Sequence, residues 1–126
     1  MKISILVYLV GLCVAHSLNQ NKAYTTANDY LDIQAVMSDP EEVKWYMDCF
    51  VGRRECEPFS ASYQANMPEA IPTLCKKCNE PQKRMWKIFI TRLYNEYPGE
   101  YLAFQQKYDP KNQYMDGFIK AVSDVD

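Results

Sequence analysis

Histidine is nearly absent from this chain. The one copy, His16, falls inside an N-terminal segment that reads as removable. Met1-Lys2 supplies a short positive start, residues 3–15 form an almost unbroken apolar run, and Ala15 and Ser17 are small residues flanking His16. These are the parts of a secretory signal peptide, and the run is too short for a membrane span. A buried N-terminal strand or helix is the competing reading. We therefore expect residues 1–17 to be a leader and residues 18–126 to be the mature protein, with a cut after Ala15 as the alternative. Without His16 no histidine remains, which excludes Ser-His-Asp and Cys-His nucleophilic pairs.

Glycine is scarce as well, with four copies and no glycine-rich phosphate loop. No two alternating apolar–polar runs flank a tight turn, so hairpins are not expected. No excess of one charge appears either. Losing Lys2 moves the formal charge from −2 to −3, with both signs interspersed, so nothing favours nucleic acid or an anionic membrane surface, and no membrane insertion is expected after leader removal. Carboxylates are plentiful, but Glu41/Glu42 and Asp124/Asp126 read as a helix start and a tail rather than a hydrolytic pair. Lys76, Lys77, Lys83 and Arg84 form a small basic cluster that reads as a solvated face.

What the chain does hold is apolar residues recurring at spacings of three and four, the mark of helices. Asp32–Met37 suits a short helix with Ile33, Val36 and Met37 on one side. Asp39-Pro40-Glu41-Glu42 is a helix start, with Asp39 as cap, Pro40 at the first helical position and Glu42 placed to complete a capping box. Val43, Tyr46, Met47 and Phe50 follow as its stripe, and Gly52 ends it. Residues 60–74 read as helical but compromised, with a kink or break near Pro68 and a stop near Pro72. Asn79, with Gln82 three residues on, opens the longest helix, whose face carries Met85, Trp86, Phe89, Ile90 and Leu93. Another helix starts at Pro98, carries Tyr101, Leu102, Phe104 and Tyr108, and stops at Asp109-Pro110. A last one is expected over residues 111–122 with Tyr114, Met115, Phe118 and Val122. Residues 18–29 read as an extended arm. The expectation is one all-α domain without repeats or linkers.

Four cysteines remain after the leader: Cys49, Cys56, Cys75 and Cys78. A zinc site would need closer spacing in the first pair. Cys75-Lys76-Lys77-Cys78 ahead of a helix could be a thiol–disulfide centre, although such motifs normally follow a strand. Two local staples, Cys49–Cys56 and Cys75–Cys78, suit an oxidising compartment best. All three readings stay open on spacing alone.

The aromatic and methionine content could serve a purely structural core or line an internal apolar cavity. Val43, Tyr46, Met47, Phe50, Met67, Ile71, Met85, Phe89, Leu93 and Tyr101 are candidates for an inner face. Methionine adapts to varied apolar shapes and tyrosine brings one polar end, a mixture suited to a ligand pocket.

Tyr24-Thr25-Thr26, the spacing Cys49-x6-Cys56-x18-Cys75-x2-Cys78, Met67-Pro68-Glu69-Ala70 and Lys107-Tyr108-Asp109-Pro110 together resemble the insect chemosensory proteins, also called the OS-D-like or A10/OS-D family. The resemblance spans roughly residues 22–114. It implies a secreted single-domain bundle of about six helices around an internal hydrophobic channel, with cysteines paired first to second and third to fourth. It also implies a carrier rather than an enzyme, one that moves long-chain alcohols, esters, fatty acids or semiochemicals through aqueous lymph. We add Ile33 and Val36 to the expected ligand-binding set, with Tyr46 and Tyr101 as polar ends. No cofactor or metal is expected, the chain should be a monomer, and a membrane receptor is left unnamed. Asn28 stands where a tyrosine is usual, Tyr101 where a tryptophan is usual, and Pro72 is an added proline. The tail beyond Tyr114 is longer and more apolar than in many members; packing, a cover for the channel and a partner surface are its possible uses.

Overall fold

A computed structural model describes residues 31–125, which form six helices. They are α1 (Ile33–Met37), α2 (Pro40–Phe50), α3 (Pro58–Ala70), α4 (Glu80–Glu96), α5 (Pro98–Tyr108) and α6 (Met115–Ser123). The expected leader, the extended arm and the Tyr24-Thr25-Thr26 element lie outside the described residues.

Helix starts follow local chemistry. Pro40, Pro58, Pro81 and Pro98 each occupy one of the first two helical positions, where a missing N–H costs nothing. Asn79 Oδ1 accepts the Gln82 N–H at 2.8 Å and Gln82 Oε1 accepts the Asn79 N–H at 3.0 Å, so α4 opens with the expected capping box. At α2 the box is not formed. Asp39 caps instead through the Glu41 N–H at 3.0 Å, one position earlier.

Helix ends differ more from expectation. The chain does not break at Pro68: α3 runs through it to Ala70 and stops two residues before Pro72. The loop that follows places Leu74 and Cys75 in the left-handed region, with φ of 56° and 62°. The Cys75 N–H bonds back to the Ala70 carbonyl at 2.7 Å. The last helix begins at Met115 rather than 111. Asp109 turns its carboxylate onto the N–H groups of Gln113, Tyr114 and Met115 at 2.8, 2.9 and 3.0 Å. Residues 110–114 are thereby held as a turn, with Asn112 at φ 51°, and the helix starts only after it. Asp116-Gly117, a pair that elsewhere signals a hairpin, sits inside α6.

The long helix α4 is central and packs against α1, α5 and α6, while α2 packs against α1, α3 and α5. Met37, Met47, Ile71, Ile90, Leu93, Phe104, Met115 and Phe118 are fully buried between them. The amphipathic α6 places Met115, Phe118 and Val122 inward, and Lys87 Nζ holds its far end through the Val125 carbonyl at 2.8 Å. Phe118 and Val122 are therefore core, and the reading in which they offer a partner surface has no surface left to use.

Candidate functional site

The four cysteines form two disulfides, Cys49–Cys56 and Cys75–Cys78. That consumes the thiolates a zinc site would need. The redox reading also loses its geometry. In a Cys-x-x-Cys enzyme the first sulfur must be reachable to attack, and Cys75 is fully buried. The pair closes the turn between α3 and α4 and aims α4 away from it. The basic cluster beside it is partly neutralised, Lys77 by Glu69 at 2.8 Å and Arg84 by Glu80 at 3.6 Å.

α1, α2, α3 and the first half of α4 enclose a cavity of about 90 Å³. Its wall is mostly apolar: Ile33, Val36 and Met37 from α1, Val43 and Phe50 from α2, Met67 from α3, and Met85, Trp86 and Phe89 from α4, with Leu31 just before α1. Tyr46, Ser62, Tyr63, Asn66 and Gln82 supply polar atoms, and Cys78 completes the lining. The apolar floor is buried, whereas Leu31, Tyr46, Ser62, Tyr63, Asn66, Gln82, Met85 and Trp86 are half-buried. The cavity thus reaches the surface among these half-buried residues, polar and apolar alike. Burial raises the Tyr46 phenol above its ordinary pKa, and Glu42 and Glu57 add to this.

The sequence profile described as the insect pheromone-binding family, A10/OS-D, matches residues 24–116. This chain belongs to that family. Among curated relatives it is 27% identical over 104 residues to the allergen Tha p 1 of Thaumetopoea pityocampa, covering 82% of each chain. It is also 27% identical over 115 residues to the ejaculatory bulb-specific protein 3 of Drosophila melanogaster, covering 91% of this chain and 89% of the relative. Solved structures share the fold. A chemosensory protein in complex with bromo-dodecanol superposes with a TM-score of 0.71 at 23% identity, over 77% of this chain and 97% of that one. The antennal chemosensory protein A6 of the moth Mamestra brassicae gives 0.63 at 20% identity, over 74% and 91%.

In this A10/OS-D chain the candidate residues divide by geometry. Ile33, Val36, Val43, Tyr46, Phe50, Met67, Met85 and Phe89 are brought together around the cavity. Met47, Ile71, Leu93 and Tyr101 are not in its wall. Met47 lies one residue past Tyr46, about 100° round α2, and is buried in the core. Ile71 follows the end of α3, and Leu93 lies one turn beyond Phe89 towards the far end of α4. Tyr101 belongs to α5, which contributes nothing to the lining; it meets the Tyr94 ring edge-on at 4.9 Å. Burial, then Asp116, Tyr94 and Asp109, push its phenol up in pKa.

Eight wall residues escaped the sequence reading: Leu31, Met37, Ser62, Tyr63, Asn66, Cys78, Gln82 and Trp86. A signal was present for some of them. Gln82, Met85, Trp86 and Phe89 recur at three and four, so they share a face of α4, and Cys78 lies in the turn just before it. Ser62, Tyr63, Asn66 and Met67 do the same on α3, but a mixed polar face hides that stripe. Trp86 also meets Phe118 edge-on at 4.8 Å, coupling the wall to the core.

Proposed function

We propose that this protein carries small hydrophobic molecules in the cavity between α1, α2, α3 and α4. One observation supports the reading above all: an apolar cavity that reaches the surface, walled by Ile33, Val36, Met37, Val43, Phe50, Met67 and Phe89. The family's description as pheromone-binding and the bromo-dodecanol held by a relative of the same fold agree with it. The ligand class is long-chain alcohols, esters and related semiochemicals moved through aqueous fluid. The protein acts by binding and release and performs no chemistry.

Apolar burial drives such binding at about 25 cal/mol per Å². Micromolar affinity corresponds to about −8 kcal/mol, a net value after ordering costs. A cavity of about 90 Å³ is small beside the roughly 300 Å³ or more of ordinary ligand pockets. A long chain therefore enters by moving the wall. Met37, Met67 and Met85 are unbranched and adapt at low cost. Loading should show a negative heat-capacity change.

The test is direct. A fluorescent apolar probe should bind the oxidised protein with micromolar affinity and be displaced by C12–C18 chains. Val36→Trp, which fills the cavity, should abolish probe binding while leaving the helical circular dichroism intact. Probe binding that survives this change would show that the cavity is not the site. We further propose that residues 1–17 direct secretion, no helix among the described residues being long and apolar enough to cross a membrane. Sequencing the secreted protein should then read from near Leu18.

A further inference from the structure

The polar groups of the cavity wall come from three helices, and among the described residues none is a cation or a carboxylate. Ser62, Tyr63 and Asn66 come from α3, Gln82 from α4 and Tyr46 from α2. Several of these are committed within the protein. Ser62 Oγ donates to the Phe59 carbonyl at 2.6 Å, and Gln82 Oε1 accepts the Asn79 N–H at 3.0 Å. Asn66 and Tyr46 differ: among the described residues no group hydrogen-bonds to the half-buried Asn66 amide or to the Tyr46 hydroxyl, and of the two only Asn66 brings more than one donor. An amide offers two donors and an accepting oxygen, which suits a hydroxyl or an ester carbonyl equally well.

A carboxylate head meets different physics. Removing its charge from water costs several kcal/mol unless a cation or dense donors repay it. Among the described residues no lysine or arginine lines this cavity. Arg54 is already paired with Glu57 at 2.7 Å and lies over the Trp45 ring at 4.1 Å. The positive end of α4 is closed by its own Asn79–Gln82 box, with Glu80 in its first turn. The charges whose field raises the Tyr46 pKa are Glu42 and Glu57, both negative.

We propose that the cavity selects amphiphiles with a neutral, hydrogen-bonding head, an alcohol or an ester, over the ionised fatty acid of equal length, and that Asn66 holds that head. The proposal rests on the carrier reading.

The experiment displaces N-phenyl-1-naphthylamine from the secreted chain with 1-dodecanol and with dodecanoate, at pH 7.5 and pH 4.5. At pH 7.5 dodecanol should bind about tenfold more tightly than dodecanoate. At pH 4.5, near an ordinary carboxyl pKa, the acid should close most of that gap while dodecanol changes less than about threefold. Asn66→Leu should weaken dodecanol about tenfold when displacement is scored against the variant's own probe affinity. Asn66→Asp, of nearly the same shape, should widen the gap at pH 7.5. Equal affinity for alcohol and carboxylate at pH 7.5, with the probe still bound, overturns this proposal and leaves the carrier reading standing. Dodecanol affinity unchanged in Asn66→Leu also overturns it. A probe that binds at neither pH removes both.

Discussion

Asp109 brings a carboxylate to 2% exposure with no cation paired to it among the described residues. Burial works to raise its pKa, but backbone N–H donors from Tyr114, Gln113 and Met115 more than offset this and hold it below the ordinary value. A carboxyl depressed on folding adds stability that is complete above its unfolded pKa of about 3.9 and is lost as pH falls through the lower folded value. Asp109→Ala, which leaves three backbone donors unpaired, should cost about 3 kcal/mol at pH 7. The deficit should shrink as pH falls from the ordinary carboxylate range through the lower folded value, where the wild-type carboxyl also loses its charge; urea melts at pH 7 and along an acid series measure it. Tyr108 shows the reverse sign. Its hydroxyl donates to the Phe50 carbonyl, and burial pushes its pKa up to about 12. Its contribution is full below the free-tyrosine value of about 10 and disappears as pH rises through the folded one. Absorbance titration should find one late phenol near pH 12, missing in Tyr108→Phe, which should also lose about 1 kcal/mol of stability.

A helix as short as α1 cannot hold its shape alone, because nucleation is not repaid over five residues. It is held by α4. Arg92 Nη1 donates to the Gln34 carbonyl at 3.3 Å and to Ser38 Oγ at 3.1 Å, while its other nitrogens pair with Glu96 at 2.6 and 2.9 Å. Tyr97 donates to the Met37 carbonyl at 3.3 Å. Since α1 supplies Ile33, Val36 and Met37 to the cavity wall, these contacts keep one side of the cavity closed. The double variant Arg92→Ala/Tyr97→Phe should speed hydrogen exchange over residues 33–37 while leaving exchange in α4 unchanged. Equal protection in both proteins would show that apolar packing alone holds α1. The turn before α4 depends on a different constraint. Leu74 and Cys75 occupy left-handed backbone, which costs an L-residue roughly 1–2 kcal/mol, and the Cys75–Cys78 bond closes that turn. Cys75→Ser/Cys78→Ser should destabilise the protein by about 2 kcal/mol, the loop-entropy value for so short a ring, as read from thermal melts of the oxidised forms.

At the scale of the molecule, rings form a continuous path from the cavity wall into the core. Phe50 meets Phe89 at 6.0 Å, Phe89 meets Phe104 at 5.6 Å, and Trp86 touches both Phe104 and Phe118. A ligand that moves Trp86 or Phe89 therefore presses on α5 and α6. Indole fluorescence should shift on loading with dodecanol, and Trp86→Phe should abolish most of that shift, because Trp45 lies on the exposed side of α2 against Arg54.

The helices were legible in the sequence because period, proline position and caps act over a few residues. Asn79-x-x-Gln82, Pro98 and Asp109-Pro110 are local instructions, and the structure carries them out. The cysteine spacing together with its flanking motifs led to the family in the same way. Boundaries failed where a distant or competing bond took over: Asp109 drew the start of α6 to Met115, and Asp39 chose the Glu41 N–H. The cavity is the larger case. Periodicity marks a residue as inward-facing, but it does not say whether that side chain meets a packed neighbour or open space. Met47 and Met67 look alike in the sequence, yet one lies in solid core and the other in the cavity wall. Sequence alone determined the six helices and their apolar faces, since those depend on neighbours along the chain. Only the tertiary structure decided which faces leave a gap and that Asn66 stands in its wall, since a gap depends on how four helices from distant parts of the chain meet.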